Sequence, residues 1–187
     1  MSKYPIERNG LGAWLNERGL LGAGVEVGCA NGQFTAIVAE VWDGRELAMV
    51  DPWKKQDSSV YREITNEITD FDSWKSQCLE LAKKDRRIRL IQKLSVDGAD
   101  HFAPQSLDWV YLDGNHSYLD FSQDLNCWWP KIRPGGILGG HDCLNKLDEG
   151  WHCEVKSALD DWCDSLGLEY HVTPCTSFWI IKPVLVK

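Results

Sequence analysis

Short apolar runs alternate with longer amphipathic segments along this chain of 187 residues. The apolar runs have the length of buried strands, and we predict strands at residues 24–27, 47–50, 88–91, 107–112, 137–138, 170–172 and 178–181. The longer segments carry apolar residues at helical spacing, and we predict helices at residues 32–41, 61–68, 74–83, 117–128 and 153–166. Ser117 is placed to cap one of these helices and Gly167 to end another. The Arg-Pro-Gly-Gly sequence at residues 133–136 predicts a turn.

The regular exchange of strand and helix predicts the fold class. Strands that alternate with helices are typical of α/β folds, in which a parallel sheet is covered by helices. A seven-stranded sheet with its helices leaves little of the chain over, so we expect one domain over residues 1–187 and no separate substrate domain. A lid over the site then has to come from residues 1–20, 52–75 or 143–153, or from the second subunit of a homodimer.

The charge balance argues against several classes of partner. Twenty lysines and arginines stand against 28 aspartates and glutamates, a formal net charge of −8, so the chain lacks the basic surface that nucleic acid binding requires. No apolar run approaches the roughly 18–20 residues that a membrane-spanning helix needs. Seven scattered cysteines, without a C-x-x-C pair or a secretion signal, are typical of reduced thiols. We expect a cytoplasmic protein that binds neither nucleic acid nor a membrane.

The first candidate site is the segment at residues 24–32, which places Glu26 on a strand and Gly28 and Gly32 at the turn that follows. Glycine lets the sugar of a nucleotide approach the backbone where a β-carbon would collide. Asp51 ends the second predicted strand, 19 residues after Gly32, where a carboxylate can accept hydrogen bonds from both ribose hydroxyls. Alternatively, the glycines only permit a tight turn and Asp51 only caps one.

A second cluster follows the fourth and fifth major strands. Asp113 and His116 come after the fourth strand, and His141 and Asp142 come after the fifth. The carboxyl ends of parallel strands share one edge of a sheet, so we expect these side chains to face one another and Asp51. Asp113 and Asp142 could hold a divalent cation, with His116 as a base. Alternatively, Asp113 and His116 cap the next helix and His141 packs in the core.

Five sequence blocks together identify a family resemblance. The blocks are VEVGCANGQFT, AMVDPW, LDWVYLDGNHSY, WWPKIRPGGILGGHD and EVKSALDDW. They resemble the class I S-adenosylmethionine-dependent methyltransferases, and within these the small-molecule and sugar O-methyltransferase branch (methyltransferase domain family 24-like), which includes macrolide and aminocoumarin sugar methyltransferases. The resemblance covers roughly residues 20–182. It implies a Rossmann-like, doubly wound, seven-stranded sheet that is mostly parallel, with an antiparallel last strand and helices on both faces.

The resemblance also implies roles for individual residues. Glu26 and Gly28 would line the methionine part of the cofactor, Gly32 would let the next helix start close by, and Asp51 would hold the ribose. Trp53 and Ser95 would lie near the adenosine.

At the acceptor side, Asp113 and Asp142 match positions of magnesium ligands, and His116 matches a proposed general base. His141 stands where metal-dependent relatives carry an acidic residue, and imidazole is a poor ligand for magnesium. A site of Asp113, His141 and Asp142 would therefore favour a transition ion over magnesium. Alternatively, His116 acts as the general base without a metal ion.

The function that follows is transfer of a methyl group from S-adenosylmethionine to a hydroxyl of a small molecule, with a sugar as one candidate. Two alternatives come from other classes. A nicotinamide-dependent oxidoreductase is disfavoured because Gly28 is followed by Cys29 and Ala30, so the dinucleotide fingerprint G-x-G-x-x-G is not met. The second alternative is a protein that binds the cofactor but catalyses no reaction.

Overall fold

A computed structural model describes residues 2–55, 70–148 and 151–184. Within these ranges the chain forms a sheet of seven strands with a hydrophobic core on each face, which confirms the predicted Rossmann-like, doubly wound α/β class. The helix predicted at residues 61–68 lies outside the described ranges. The helices inside them are all too short or too polar to cross a membrane.

The main sheet has its strands in the order β3-β2-β1-β4-β5-β9-β8. Strands β1 to β5 run parallel, β9 pairs antiparallel with β5, and β8 pairs antiparallel with β9, which confirms the predicted antiparallel last strand. The strand bounds are β1 Ala23–Val27, β2 Glu46–Val50, β3 Ile88–Ile91, β4 Leu107–Leu112, β5 Ile132–Gly140, β6 Lys146–Asp148, β7 Trp151–Cys153, β8 His171–Val172 and β9 Phe178–Ile181. The strand order reverses between β1 and β4, which is where such sheets open a crevice.

The helices divide between the two faces of the sheet. Their bounds are α1 Leu11–Glu17, α2 Gln33–Val41, α3 Phe71–Lys84, α4 Ser95–Ala99, α5 Tyr118–Trp128 and α6 Val155–Leu166, with 3-10 turns at Arg8–Gly10 and Trp129–Lys131. Residues of α1, α2 and α3 belong to one buried cluster, and residues of α4, α5 and α6 to the other.

Strand β4 shows how the sequence builds both cores. Trp109 and Tyr111 belong to the cluster under α1, α2 and α3, whereas Val110 and Leu112 belong to the cluster under α5 and α6. Successive side chains of a strand point to opposite faces, so a strand buried on both faces is mainly apolar. The exception in β4 is the buried Asp108, whose carboxylate is paired with Arg133.

The predicted turn at residues 133–136 is wrong, because these residues lie inside β5. The pairing shifts from Leu107↔Ile132 to Trp109↔Ile137, so β5 carries a bulge there. Gly135 supplies the bend with φ +79, and its N–H donates to the carbonyl of Lys182 at 2.8 Å. Glycine and proline therefore mark a bulge within one strand.

Other differences concern short elements. The sequence patterns missed α1, α4 and the antiparallel hairpin of β6 and β7. The last helix begins at Val155, two residues later than predicted, because Cys153 belongs to β7. The predicted cap of α5 is confirmed, since the Ser117 hydroxyl accepts a hydrogen bond from the Asp120 N–H at 3.2 Å.

Candidate functional site

The loops after β1, β2, β4 and β5 meet at one edge of the sheet. Backbone hydrogen bonds join them: the Gly28 N–H donates to the Val50 carbonyl at 2.8 Å, and the Asp113 N–H donates to the Val27 carbonyl at 2.8 Å. This edge holds the predicted cofactor residues on one side and the predicted acceptor cluster on the other.

The loop between β1 and α2, residues 28–32, requires its glycines. Gly28 has φ +79, and a β-carbon on it would lie 2.3 Å from the Asp113 carbonyl oxygen. Gly32 has φ +80 and precedes the first turn of α2. The loop therefore packs directly on the start of the acceptor cluster, and the missing side chains leave its backbone open to a ligand.

Asp51 and Trp53 hold this loop in place. The Asp51 carboxylate accepts hydrogen bonds from the N–H of Ala30 at 3.0 Å and the N–H of Trp53 at 2.7 Å. The buried Trp53 indole donates to the Ala30 carbonyl at 2.8 Å. Burial raises the pKa of Asp51, against these backbone hydrogen bonds. Asp51 thus caps the turn, as the alternative interpretation of the sequence predicted. Each of its oxygens still has a lone pair that can accept a hydrogen bond from a ribose hydroxyl.

Glu26 lies beneath the loop and is almost fully buried, with 2% of its surface exposed. It accepts a hydrogen bond from the Thr35 hydroxyl, in the first turn of α2. Burial raises its pKa to about 8, so the carboxyl is protonated at neutral pH while it is surrounded by protein alone. Glu26 joins the strand to the helix and places a carboxyl below Gly28.

Ser95, at the start of α4, contacts the neighbouring helix α5. Its hydroxyl accepts a hydrogen bond from the Trp128 indole at 2.9 Å, and Asp124 of the same helix is close enough for Ser95 to affect its pKa. Asp124 is buried, and burial raises its pKa to about 7. The role of Ser95 near an adenosine stays a prediction. Asp124 was missed because a single aspartate inside an amphipathic helix gives no distinguishing pattern.

His116 lies between the two acceptor-side carboxylates. Its Nε2 is 3.5 Å from Oδ1 of Asp113 and 3.6 Å from Oδ2 of Asp142. Among the described residues this buried nitrogen has no hydrogen-bond partner. Since Ser117 caps α5, His116 does not cap that helix. A buried polar atom left without a partner points to a group that the site is built to receive.

His141 and Asp142 form a hydrogen-bonded pair at the end of β5, with 3.0 Å between Nδ1 and Oδ1. This bond raises the pKa of His141. Burial pushes the pKa of Asp142 upwards, but the two histidines bring it below its ordinary value. One ligand atom each from Asp113, His141 and Asp142 lies within 4.8 Å of the others. The predicted metal ligands are thus close enough to share one cation.

Arg8 is a site residue that the sequence patterns missed. Its Nη1 lies 3.4 Å from Oδ2 of Asp113, and its guanidinium lies 5.7 Å from the centre of the Phe34 ring. It belongs to the predicted lid segment at residues 1–20. The arginine is 105 positions from Asp113, and no local spacing connects two residues so far apart.

Backbone strain is concentrated at this edge. Five non-glycine residues in the described ranges have positive φ. Ala30 lies in the glycine loop, and Trp53 is hydrogen-bonded to it. Asp142 belongs to the acceptor cluster, and the Thr176 hydroxyl donates to it at 3.5 Å. Strained residues persist where the surroundings hold them, and they are common at ligand sites.

These features fit S-adenosylmethionine. The glycine loop offers an open backbone, Asp51 offers oxygen acceptors at the end of β2, and Glu26 supplies a carboxyl below the loop. A single-nucleoside site on a doubly wound sheet is the class that the fold and the loop geometry define.

Comparison with known proteins gives the family. The profile of a methyltransferase domain family matches residues 25–143, which run from β1 to the end of the acceptor cluster. The chain therefore belongs to this methyltransferase family, within the class I S-adenosylmethionine-dependent methyltransferases.

Solved structures share the fold at low sequence identity. The O-methyltransferase NovP has a TM-score of 0.67 at 13% identity, over 95% of this chain and 78% of NovP. A caffeoyl-CoA O-methyltransferase candidate from Staphylococcus aureus has a TM-score of 0.64 at 10% identity, over 93% and 82%. The N-methyltransferase NodS from Bradyrhizobium japonicum has a TM-score of 0.60 at 13% identity, over 98% and 100%. The fold thus accommodates different acceptor atoms.

A sequence relative is found for part of the chain. Fifty-four residues are 33% identical to part of the uncharacterized protein y4gI of Sinorhizobium fredii. The match covers 29% of this chain and 6% of that protein, so the chain corresponds to a small part of that relative's length.

Proposed function

We propose that this protein transfers a methyl group from S-adenosylmethionine to a hydroxyl oxygen of a small molecule, with His116 as the general base. A sugar hydroxyl is the first acceptor class to test, because the sequence blocks resemble sugar O-methyltransferases. The observation that carries the proposal is the unpartnered, buried Nε2 of His116, located between Asp113 and Asp142.

The chemistry needs little from the protein beyond alignment and proton removal. S-adenosylmethionine supplies an electrophilic sulfonium methyl group when bound, so the gain from the chain comes from orientation and base catalysis. His116 would accept the hydroxyl proton at Nε2. The carboxylates of Asp113 and Asp142, at 3.5 and 3.6 Å, would stabilise the resulting imidazolium.

We also propose Asp113, His141 and Asp142 as the ligands of a divalent cation. A cation held there would lower the pKa of a coordinated acceptor hydroxyl and share the task of His116. The imidazole favours manganese, iron, nickel or zinc over magnesium.

The test starts with the acceptor. Ligands that co-purify with the protein are identified by mass spectrometry and assayed with methyl-labelled S-adenosylmethionine. His116→Ala should then lower turnover about 100-fold or more, while the dissociation constant of S-adenosylhomocysteine stays unchanged.

His101→Ala, the same substitution at an exposed histidine, is the matched control and should keep full activity. An active His116→Ala variant would assign the proton to another group, with His141 the next to test. A wild-type protein that binds S-adenosylhomocysteine but methylates none of its ligands would support the silent cofactor-binding protein instead. Tight NAD binding without a response to S-adenosylhomocysteine would support the oxidoreductase.

A further inference from the structure

Arg8 reaches the site from the N-terminal segment, at the junction between the glycine loop and Asp113. Its guanidinium lies over Phe34, in the first turn of α2, and its Nη1 contacts Asp113. Arg8 begins the 3-10 turn Arg8–Gly10, and its carbonyl accepts a hydrogen bond from the Leu11 N–H at the start of α1. The main chain of Arg8 is thus held in this turn, and its side chain is directed to the edge where the glycine loop meets Asp113.

The charged groups around this loop are acidic. Asp51 accepts from its Ala30 N–H and Asp113 packs against Gly28, while the buried Glu26 below the loop is protonated at neutral pH. The amino-acid part of S-adenosylmethionine carries an ammonium group and a carboxylate. The acidic residues suit the ammonium group, but they repel the carboxylate unless a cation stands close by.

Arg8 is placed to supply that cation. The α-amino and α-carboxyl groups of an amino acid are joined through one carbon, so their protein partners must lie near each other. Arg8 contacts Asp113, and the Asp113 carbonyl lies against Gly28, two residues after Glu26. A guanidinium can also bind a carboxylate through two parallel hydrogen bonds.

The present contact between Arg8 and Asp113 leaves room for such a ligand. Its distance of 3.4 Å is long for a charged hydrogen bond, and 36% of the Arg8 side chain is exposed. Ion pairs of this kind contribute little stability, so the guanidinium can accept a second partner at low cost.

Resting on the proposed function, we infer that Arg8 binds the carboxylate of the methionine part of S-adenosylmethionine, and that the N-terminal segment thereby completes the cofactor site. Removing the charge should weaken ligands that carry this carboxylate. It should leave ligands without the carboxylate unaffected.

The experiment pairs a change in the protein with a change in the ligand. Calorimetry measures the dissociation constants of S-adenosylhomocysteine and of its decarboxylated analogue, S-adenosyl-3-thiopropylamine, for wild type and Arg8→Met. Methionine keeps an apolar side chain over Phe34. We expect Arg8→Met to weaken S-adenosylhomocysteine about 10- to 100-fold and the decarboxylated analogue less than about twofold.

Two further variants complete the design. Arg8→Lys keeps the charge and should recover part of the affinity for S-adenosylhomocysteine. Arg18→Met is the matched control, because Arg18 holds the same segment through the Ser2 carbonyl at 2.7 Å and stacks on Trp14 at 4.5 Å. It should leave both affinities near wild type.

Three results would overturn the inference. Arg8→Met could bind S-adenosylhomocysteine as tightly as wild type does, or it could lose affinity for both ligands by the same factor. Arg18→Met could also weaken S-adenosylhomocysteine as much as Arg8→Met does. The last two results would mean that Arg8 only holds the segment in place. A wild-type protein that fails to bind S-adenosylhomocysteine at all would instead refute the proposed function.

Discussion

Replacing Glu26 with glutamine tests how strongly the buried carboxyl below the glycine loop resists ionisation. Burial raises the pKa of Glu26 from 4.5 to about 8. The folded state therefore binds the proton more tightly than the unfolded state. The stability linked to this proton is complete below pH 4.5 and is lost as the pH rises through about 8.

The magnitude follows from the two pKa values. Each pKa unit corresponds to about 1.4 kcal/mol, so the full range corresponds to a loss of about 5 kcal/mol in the free energy of unfolding. Between pH 5 and pH 8 the expected loss is about 3 to 4 kcal/mol. Glutamine cannot ionise, so the Glu26→Gln variant should gain stability relative to wild type by this amount over the same interval.

Urea unfolding at pH 5, 6.5 and 8 measures the difference between the two proteins. The pKa of Asp124 is also raised, to about 7, but that contribution is common to both and cancels. Glu40→Gln, the same substitution at an exposed position of α2, is the control, and its difference from wild type should not change with pH. A difference for Glu26→Gln that is equally constant would refute the argument from burial.

Three further predictions concern the cofactor loop, the ribose and the metal. Asp51→Ala should weaken S-adenosylhomocysteine by about 1.5–3 kcal/mol in calorimetry, since it removes charged acceptors from the end of β2; unchanged affinity would mean that the ribose is held elsewhere. Gly28→Ala should lower the free energy of unfolding by more than about 2 kcal/mol, whereas Gly10→Ala, where a β-carbon meets nothing within 4 Å, should have little effect in the same denaturation assay. Activity lost in excess chelator should return with manganese, iron, nickel or zinc more fully than with magnesium; full activity in chelator would leave His116 as the proton acceptor without a metal, and rescue by magnesium alone would place His141 outside the ligand shell.

The sheet was predictable because its strands carry the signal themselves. Strands β3, β4 and β9 have the predicted bounds, and β1 and β2 differ by one residue. All are short runs rich in apolar residues, and the central strands β1 and β4 are buried along their whole length. The bulge in β5 was mistaken for a turn because both need glycine in the left-handed conformation, and only the pairing partners distinguish them.

The candidate site was predictable where its residues follow strands directly. Asp113, His116, His141 and Asp142 meet as expected, because β4 and β5 are parallel neighbours. Arg8 and Asp124 were not predictable, since each depends on packing between segments distant in the chain. The polar partners of Ser95 and the Thr35 bond to Glu26 likewise follow from how helices are placed against the sheet.

The two glycines at the end of β5 limit how the proposed acceptor side of the site can be redesigned. A β-carbon on Gly139 would lie 2.3 Å from the Trp179 ring, and one on Gly140 would lie 2.4 Å from the Phe178 ring. Any larger residue would push β9 away from the end of β5, directly beside His141. Variants that seek new acceptors should therefore keep both glycines, and also Thr176, whose hydroxyl donates to Asp142.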